Sequence, residues 1–113
     1  MAEGPLLVEI KWHANPFRGD RFEEVWTPIA EAALDYGATH WGLYRAQDGL
    51  LDFTQHAVFP DKLDWERYWY SERVAEARTE LTGMFQIPVL PTYWTVTGAG
   101  TREPAGTAEA KPA

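Results

Sequence analysis

The first patterned stretch of the chain, Pro5 to His13, alternates between apolar and mixed positions. The residues predicted to share one side are all large and apolar: Leu6, Val8, Ile10 and Trp12. The residues of the other side are mostly polar: Leu7, Glu9, Lys11 and His13. Alternation with a period of two is typical of a half-buried β-strand. This stretch is therefore predicted to be a strand with one apolar face.

The second pattern repeats every three to four residues between Asp20 and Gly37, which predicts a helix. Its buried stripe consists of aromatic and small apolar residues: Phe22, Trp26, Ile29, Ala33 and Tyr36. Asp20 and Glu23 have the spacing of a capping box at the start. Pro28 is expected to kink this helix without ending it, and Gly37 is the expected C-terminal cap.

Thr39–Ala46 and Leu50–Phe59 are rich in aromatic and β-branched residues, which predicts a hairpin around Gln47-Asp48-Gly49. Gly49 is expected to be left-handed, and pairing Ala46 with Leu50 then places His40 opposite His56. Tyr44 lies on the histidine face in this register. The other face carries mainly apolar residues: Trp41, Leu43, Leu51, Phe53 and Gln55.

The stretch Asp61–Leu81 has the longest helical periodicity in the chain and is predicted to be one helix. Its expected core stripe is Leu63, Tyr70, Val74, Ala77 and Leu81. The aromatic residues on the opposite side are Trp65, Tyr68 and Trp69. These rings need a second covering surface, which a partner subunit, a loop or a ligand would provide.

The last strand is predicted at Thr92–Thr97, after a connection rich in proline, with Trp94 and Val96 on one side and Tyr93 and Thr95 on the other. The order strand, helix, strand, strand, helix, strand predicts an α+β ferredoxin-like fold. In this βαββαβ arrangement a four-stranded antiparallel sheet carries both helices on one face. A single domain is predicted for residues 1–98. The tail, 99–113, is predicted to be disordered, with an ordered extension onto a neighbouring chain as the alternative.

The sheet face without helices is predicted to be neither plainly polar nor plainly apolar. Its expected residues are Leu7, Glu9, His13, His40, Tyr44, His56, Val58 and Tyr93. A partner's sheet would cover such a face, so the chain is predicted to form a homodimer.

The composition excludes several classes of function. Seventeen acidic and ten basic residues give a net charge of −7 over 113 residues. Nucleic acid and anionic membranes are therefore not expected partners, because both require a basic surface. With no cysteine, disulfides and zinc–thiolate sites are excluded. No apolar run reaches the roughly 18 residues of a membrane span, and Met1 to Pro5 lacks the features of a secretory signal, so a cytoplasmic protein is predicted.

Three segments resemble a known family: HAVFP, DWERYWYSERVAEARTEL and TYWTV. They are similar to the second half of dimeric α/β-barrel proteins, in particular the antibiotic-biosynthesis monooxygenase branch. The resemblance extends over roughly Leu6 to Thr97. It implies a homodimer with a cleft between helices and sheet, in a family that includes cofactor-free oxygenases of polycyclic aromatic quinols, haem-degrading enzymes and isomerases.

The haem-degrading branch is a poor match. In those relatives a tryptophan of the second helix is followed nine residues later by the iron-ligating histidine, and an asparagine of the first strand completes the site. Trp69 resembles that tryptophan, but Arg78 stands nine residues later. The first strand offers Glu9, Lys11 and Trp12 in place of asparagine. A guanidinium cannot act as a neutral axial ligand, so haem binding of this type is not expected.

Two classes of function remain open. In the first, a cofactor-independent oxygenase binds a small aromatic or polycyclic substrate, and His40, His56 or Tyr44 takes its proton so that the carbanion reacts with dioxygen. The predicted ligand pocket of this enzyme consists of aromatic residues: Trp41, Phe53, Trp65, Tyr68 and Trp69. In the second, the protein is a non-catalytic homodimer that binds a small hydrophobic molecule or serves in assembly. Neither class is expected to need a metal or a cofactor.

Three interpretations apply to His40 and His56, whose Cβ atoms would lie roughly 4.5–5.5 Å apart if they were opposed across the hairpin. The pair could bind a metal with His13 as third ligand, act as a general base, or be ordinary polar residues of a dimer interface. If opposed, the two imidazoles would repel on double protonation. Stability or dimer affinity would then fall between about pH 7 and 5.

Overall fold

The computed structural model describes residues 5–104, and it has the predicted ferredoxin-like architecture. The strands are β1 (Leu6–His13), β2 (His40–Arg45), β3 (Asp52–Phe59) and β4 (Thr92–Thr95). The α-helices are α1 (Gly19–Glu31), α2 (Lys62–Trp69) and α3 (Glu72–Glu80), and a 3₁₀ helix spans Ala32–Tyr36. The predictions for residues 1–4 and for the end of the tail, 105–113, lie outside the described residues. Residues 98–104 contain no helix or strand.

The sheet has the strand order β2-β3-β1-β4, and all neighbouring strands are antiparallel. One side, the covered face, packs against the helices through a core rich in aromatic rings. The Trp12 ring centroid lies 4.7 Å from that of Trp26 on α1, and the Phe59 centroid lies 6.0 Å from that of Trp65 on α2. The other side of the sheet is called the open face.

The alternation predicted for the first strand is confirmed. Val8, Ile10 and Trp12 are buried on the covered face. Leu7 and Glu9 lie on the open face, where their partners on β3 are Val58 and His56. Burial of large apolar side chains is the main term that stabilises such a layer.

The start of α1 differs from the prediction. The helix begins at Gly19 with Arg18 as N-cap and without a side-chain cap hydrogen bond, so the capping box of Asp20 and Glu23 is wrong. Both carboxylates instead accept hydrogen bonds from Arg45 Nη1, at 2.9 and 2.8 Å. The hydrogen bond with Asp20 is the largest of the effects that raise the pKa of Arg45, and the bond with Glu23 adds to it. Arg45 therefore joins this helix end to the hairpin.

At the other end of the helical segment, the continuation through Pro28 and the cap at Gly37 are confirmed, and the kink at Pro28 stays a prediction. The helix α1 continues through Pro28 to Glu31 without a break and passes into the 3₁₀ helix. Gly37 closes that helix with a φ of 105°, in the left-handed region that glycine tolerates best.

The predicted hairpin register is wrong by two residues. His40 lies opposite Val58, and His56 lies opposite Gly42. Leu50, with a φ of 64°, is left-handed as well as Gly49, and Ala46 N donates to Asp52 O, so the loop is longer than the three residues expected. A shift of two preserves the faces, since side chains alternate with a period of two. His40 and His56 are therefore not opposed, and the predicted repulsion between their protonated imidazoles loses its basis.

The predicted helix 61–81 is divided at Tyr70 and Ser71. Tyr70 ends α2 and is 79% exposed, and Ser71 caps α3 by accepting a hydrogen bond from Val74 N at 3.2 Å. The single stripe is therefore wrong in its first half, where Leu63 is exposed. The buried residues of α2 are the three aromatics expected on the opposite side: Trp65, Tyr68 and Trp69. None of the helices within residues 5–104 is long and apolar enough to cross a membrane.

The faces assigned to the last strand are exchanged. Trp94 pairs with Leu7 and lies on the open face, whereas Tyr93 pairs with Val8 and lies on the covered face. There the hydroxyl of Tyr93 accepts a hydrogen bond from Trp65 Nε1 at 3.2 Å. Alternation within β4 is as predicted, but the assignment of Tyr93 to the open face is wrong.

Candidate functional site

A cavity of about 710 Å³ lies on the open face and is called the open-face cavity. Its floor is formed by strand residues that include Leu7, His40, His56, Val58 and Trp94. The segment that follows β4, residues 96–101, forms a further wall. Val96 N donates to Pro5 O at 2.9 Å, which ties the start of this segment to the beginning of β1. No aspartate, glutamate, lysine or arginine lines this cavity among residues 5–104.

His56 is the polar residue of this cavity whose side chain contacts both a carboxylate and an aromatic ring. Its Nε2 lies 3.3 Å from Glu9 Oε2 on the neighbouring strand. The second oxygen of Glu9 accepts a hydrogen bond from Trp94 Nε1 at 3.3 Å. The Tyr44 ring packs edge-on against the imidazole, with the centroids 5.5 Å apart. Glu9 thus links one histidine and one tryptophan across three adjacent strands.

Two of the three predicted catalytic residues lie in the cavity lining, and the third lies beside it. His40 and His56 both line the cavity, and Tyr44 reaches it only through its contact with His56. All three side chains lie on the open face, as the alternation predicted. His13 lies on the same face and pairs with Asp52 at the far end of β1. Within residues 5–104 no group of three or more histidine and carboxylate side chains could hold a metal ion.

The predicted aromatic ligand pocket lies on the opposite side of the sheet. Trp41 is partly buried against the core, and the other four residues are buried within it: Phe53, Trp65, Tyr68 and Trp69. The Trp65 and Trp69 rings stack on one another with centroids 5.1 Å apart. The sheet therefore separates these rings from His40, His56 and Tyr44, and the two predicted groups do not form one site within the chain.

The hydroxyl of Tyr68 makes its hydrogen bonds within the core. It donates to Ile29 O at 2.8 Å and accepts from Gln55 Nε2 at 3.1 Å. Burial raises the pKa of this phenol far above its ordinary value. Tyr68 is thus held as a neutral structural group.

Glu9 and Trp94 were not among the predicted site residues. The alternation of the first strand had placed Glu9 on the open face, so its face was predictable from the sequence, but its contact with His56 was not. Trp94 could not be found in this way, because the register of a four-residue strand against β1 is decided by tertiary pairing.

Comparison with solved structures identifies the fold. A putative antibiotic biosynthesis monooxygenase from Nitrosomonas europaea matches with a TM-score of 0.77 at 9% identity, over 86% of this chain and 94% of that chain. The PA3566 protein from Pseudomonas aeruginosa matches with a TM-score of 0.76 at 14% identity, over 87% of this chain and 99% of its own.

A third structure, SnoaB from Streptomyces nogalater, is described as a cofactor-independent oxygenase. It matches with a TM-score of 0.72 at 15% identity, over 85% of this chain and 96% of its own. The chain has the fold of these three structures. By sequence, neither a family model nor a curated protein matches it. At such identities the likeness establishes the fold, and the activity has to be argued from the site.

Proposed function

We propose that this chain is a monooxygenase-like protein that oxidises a small aromatic molecule in the open-face cavity, without a cofactor. The observation that supports this proposal most directly is the His56–Glu9 pair at an apolar cavity. The cavity volume of about 710 Å³ falls within the range of ligand pockets, roughly 300–1,000 Å³. The fold shared with SnoaB and with the Nitrosomonas protein is consistent with this chemistry.

Glu9 determines how His56 can act. An ionised carboxylate only accepts hydrogen bonds, so Nε2 of His56 carries the proton in this pair. The other ring nitrogen, Nδ1, then has a free lone pair and can act as a base. Trp94 holds the second carboxylate oxygen and thereby orients Glu9. His56 is thus a base that a neighbouring carboxylate, Glu9, orients, as in catalytic triads.

In the proposed reaction, His56 Nδ1 removes a proton from an acidic ring methylene of the substrate. The resulting carbanion forms a carbon–oxygen bond with dioxygen and gives a peroxide anion. Proton return from His56 to the outer oxygen and loss of the second methylene hydrogen break the oxygen–oxygen bond. The methylene becomes a carbonyl, and the second oxygen atom leaves as water. The substrate loses four electrons and dioxygen gains four.

A second copy of the chain would exclude water from this reaction. Trp94 is 53% exposed, and Leu7 and Val58 lie beside it on the open face. A homodimer that packs the two open faces together would bury these side chains and close the cavity. Exclusion of water strengthens the interaction between His56 and Glu9 and protects a carbanion from reprotonation.

A non-catalytic role is the second candidate, and the covered face favours it. The space around the aromatic rings there is filled by neighbouring side chains, and Trp65 is only 1% and Tyr68 0% exposed. On this proposal the protein is a homodimer that binds a small hydrophobic molecule at the open face without transforming it.

Oxygen uptake distinguishes the two candidates, with anthrone as the probe, because it has an acidic methylene between two aromatic rings. The wild type is expected to accelerate oxygen consumption, and His56→Gln is expected to lose about 10²- to 10⁴-fold in rate, the usual contribution of a general base. Glu9→Gln removes the carboxylate that orients His56 and should also lower the rate. His13→Gln, which alters the other histidine–carboxylate pair of this face, is the matched control and should retain the wild-type rate.

Two results would reject the enzymatic proposal. One is a wild-type rate equal to that in buffer, and the other is an unchanged rate in His56→Gln. Quenching of tryptophan fluorescence by anthrone that is lost in Trp94→Phe, without oxygen uptake, would support the binding protein instead.

A further inference from the structure

A second cleft, distinct from the open-face cavity, lies in the helical layer and is called the Arg78 cleft. Its volume is about 500 Å³. One wall is formed by three residues of α3 and by Thr82, two residues beyond its end, at the spacing i, i+3, i+4, i+7: Ala75, Arg78, Thr79 and Thr82. The other wall belongs to the loop that follows: Gly83, Phe85 and Ile87.

Among the residues that the structure describes, Arg78 is the only charged one in this lining. Among residues 5–104 no carboxylate lies within salt-bridge distance of its guanidinium. Helix geometry explains this, because the acidic residues of α3 recur every four residues on a different face: Glu72, Glu76 and Glu80. None of them stands three or four positions from Arg78, where an ion pair along the helix would form.

The guanidinium is nevertheless held in place. Its Cζ lies 4.9 Å from the centroid of the Trp69 ring, which is 8% exposed. Stacking on an aromatic face orients the planar fork while leaving its edge N–H donors available. An arginine that is oriented by a ring and has no ion pair among residues 5–104 is able to bind an anion.

The rest of the cleft restricts what that anion can be. The hydroxyls of Thr79 and Thr82 donate to helix carbonyls, Ala75 O at 3.0 Å and Arg78 O at 3.4 Å. They therefore present acceptors, and Arg78 alone supplies donors of positive charge. Phe85 and Ile87 provide an apolar surface, of which Ile87 is 78% exposed. A phosphate or another multiply charged anion would meet a single cation here. A carboxylate needs only one guanidinium, which can donate two hydrogen bonds to it.

We propose that the Arg78 cleft binds a small organic carboxylate, with its carboxylate on Arg78 and a flat apolar body against Phe85 and Ile87. A guanidinium and a carboxylate make two parallel hydrogen bonds, which is the strong form of this interaction. The proposal concerns a site separate from the open-face cavity and does not depend on the proposed oxygenase activity.

The test is an NMR titration of the ¹⁵N-labelled protein with 2-naphthoate, and with 2-naphthol as the uncharged analogue. Naphthoate is expected to shift the backbone amides of Thr79, Gly83 and Ile87. Arg78→Gln should weaken its affinity at least about tenfold, because a charge-assisted hydrogen bond becomes a neutral one. Arg78→Lys keeps the charge but loses the fork, and should give an intermediate affinity.

Arg73→Gln is the matched control. It lies on the same helix and removes the same charge, but its guanidinium pairs with Asp35 at 3.1 Å outside the cleft. It should retain wild-type naphthoate affinity. An equal loss in Arg73→Gln would show a general charge effect, and equal binding of naphthol would remove the role of the anion; either result overturns the proposal.

His56→Gln separates the two sites. If it abolishes the shifts caused by naphthoate, the ligand occupies the open-face cavity and the Arg78 cleft is not the site. If it leaves them unchanged, a failure of the oxygenase proposal has no bearing on the carboxylate site. Unchanged circular dichroism and thermal midpoint of Arg78→Gln establish that any loss reflects binding rather than folding.

Discussion

At the scale of single residues, Gln55 is the polar centre of an otherwise apolar core. It is 1% exposed, and its Oε1 accepts hydrogen bonds from Trp12 Nε1 at 3.0 Å and Trp26 Nε1 at 2.9 Å. Its Nε2 donates to the hydroxyl of Tyr68 at 3.1 Å. One side chain therefore connects β3 with β1, α1 and α2. Buried indole and phenol groups require such partners, because an unpaired buried donor costs free energy.

Replacing Gln55 by leucine should be strongly destabilising. The volume of the side chain would be nearly kept, but the two indole N–H groups of Trp12 and Trp26 would remain buried without an acceptor. At about 1–3 kcal/mol for each unsatisfied donor, the free energy of unfolding should fall by roughly 2–6 kcal/mol. Urea denaturation measures this loss, with the exposed Gln86→Leu as control. Losses of similar size in the two variants would contradict a structural role for the network.

At the scale of secondary structure, the division between α2 and α3 explains the aromatic residues that seemed to need a second surface. The two helices meet at Tyr70 and Ser71, so α3 does not continue the phase of α2. Each helix then turns its own apolar side to the core: Trp65, Tyr68 and Trp69 in α2, and Val74 and Ala77 in α3. No additional covering surface is needed for the rings of α2.

The cap at Ser71 should be worth measuring, because it fixes where α3 begins. Ser71→Ala removes the acceptor of the Val74 amide and should lower the free energy of unfolding by about 0.5–2 kcal/mol, as for other helix N-caps. Ser71→Thr keeps the hydroxyl that accepts from Val74 N and donates to Tyr68 O at 2.7 Å, and it should stay close to the wild type. Thermal and urea denaturation of the three proteins provide the comparison. Equal stability of Ser71→Ala and the wild type would mean that tertiary packing alone sets the boundary.

At the scale of the whole molecule, the open face is the side of the sheet that none of the described helices covers. It carries Trp94, Leu7 and Val58 beside the His56–Glu9 pair, so apolar and ionisable groups share one concave surface. A contiguous apolar surface of this kind is typical of an interface or a ligand site. The homodimer proposed here would use it for both.

Light scattering at micromolar concentration is expected to give about twice the mass of the 12.9 kDa chain. Val58→Lys places a charge in the lining of the open-face cavity and should shift this mass to that of one chain, while circular dichroism remains that of a folded protein. Leu63→Lys, on an exposed position of α2, is the control and should leave the mass unchanged. A wild-type mass near 12.9 kDa would refute the dimer.

The fold class and the faces of β1, β2 and β3 could be predicted from the sequence. Apolar periodicity decides these features locally, since a strand or helix must turn its apolar side to the core. For that reason His40, His56 and Tyr44 were correctly placed on one face. The left-handed Gly37 and Gly49 were also predicted, because glycine is the residue that accepts such a conformation at least cost.

Only the tertiary structure decided which groups meet. The partner of His56 is Glu9 rather than His40, because a hairpin loop longer by two residues moved the register while leaving every face intact. Trp94 joined the same cluster through the pairing of β4 with β1, which no local pattern encodes. Asp20 and Glu23 serve Arg45 instead of their own helix end, since a cation from the hairpin lies within hydrogen-bond distance of both. Contacts between residues far apart in sequence depend on register and packing, and these are properties of the assembled sheet and not of any one segment.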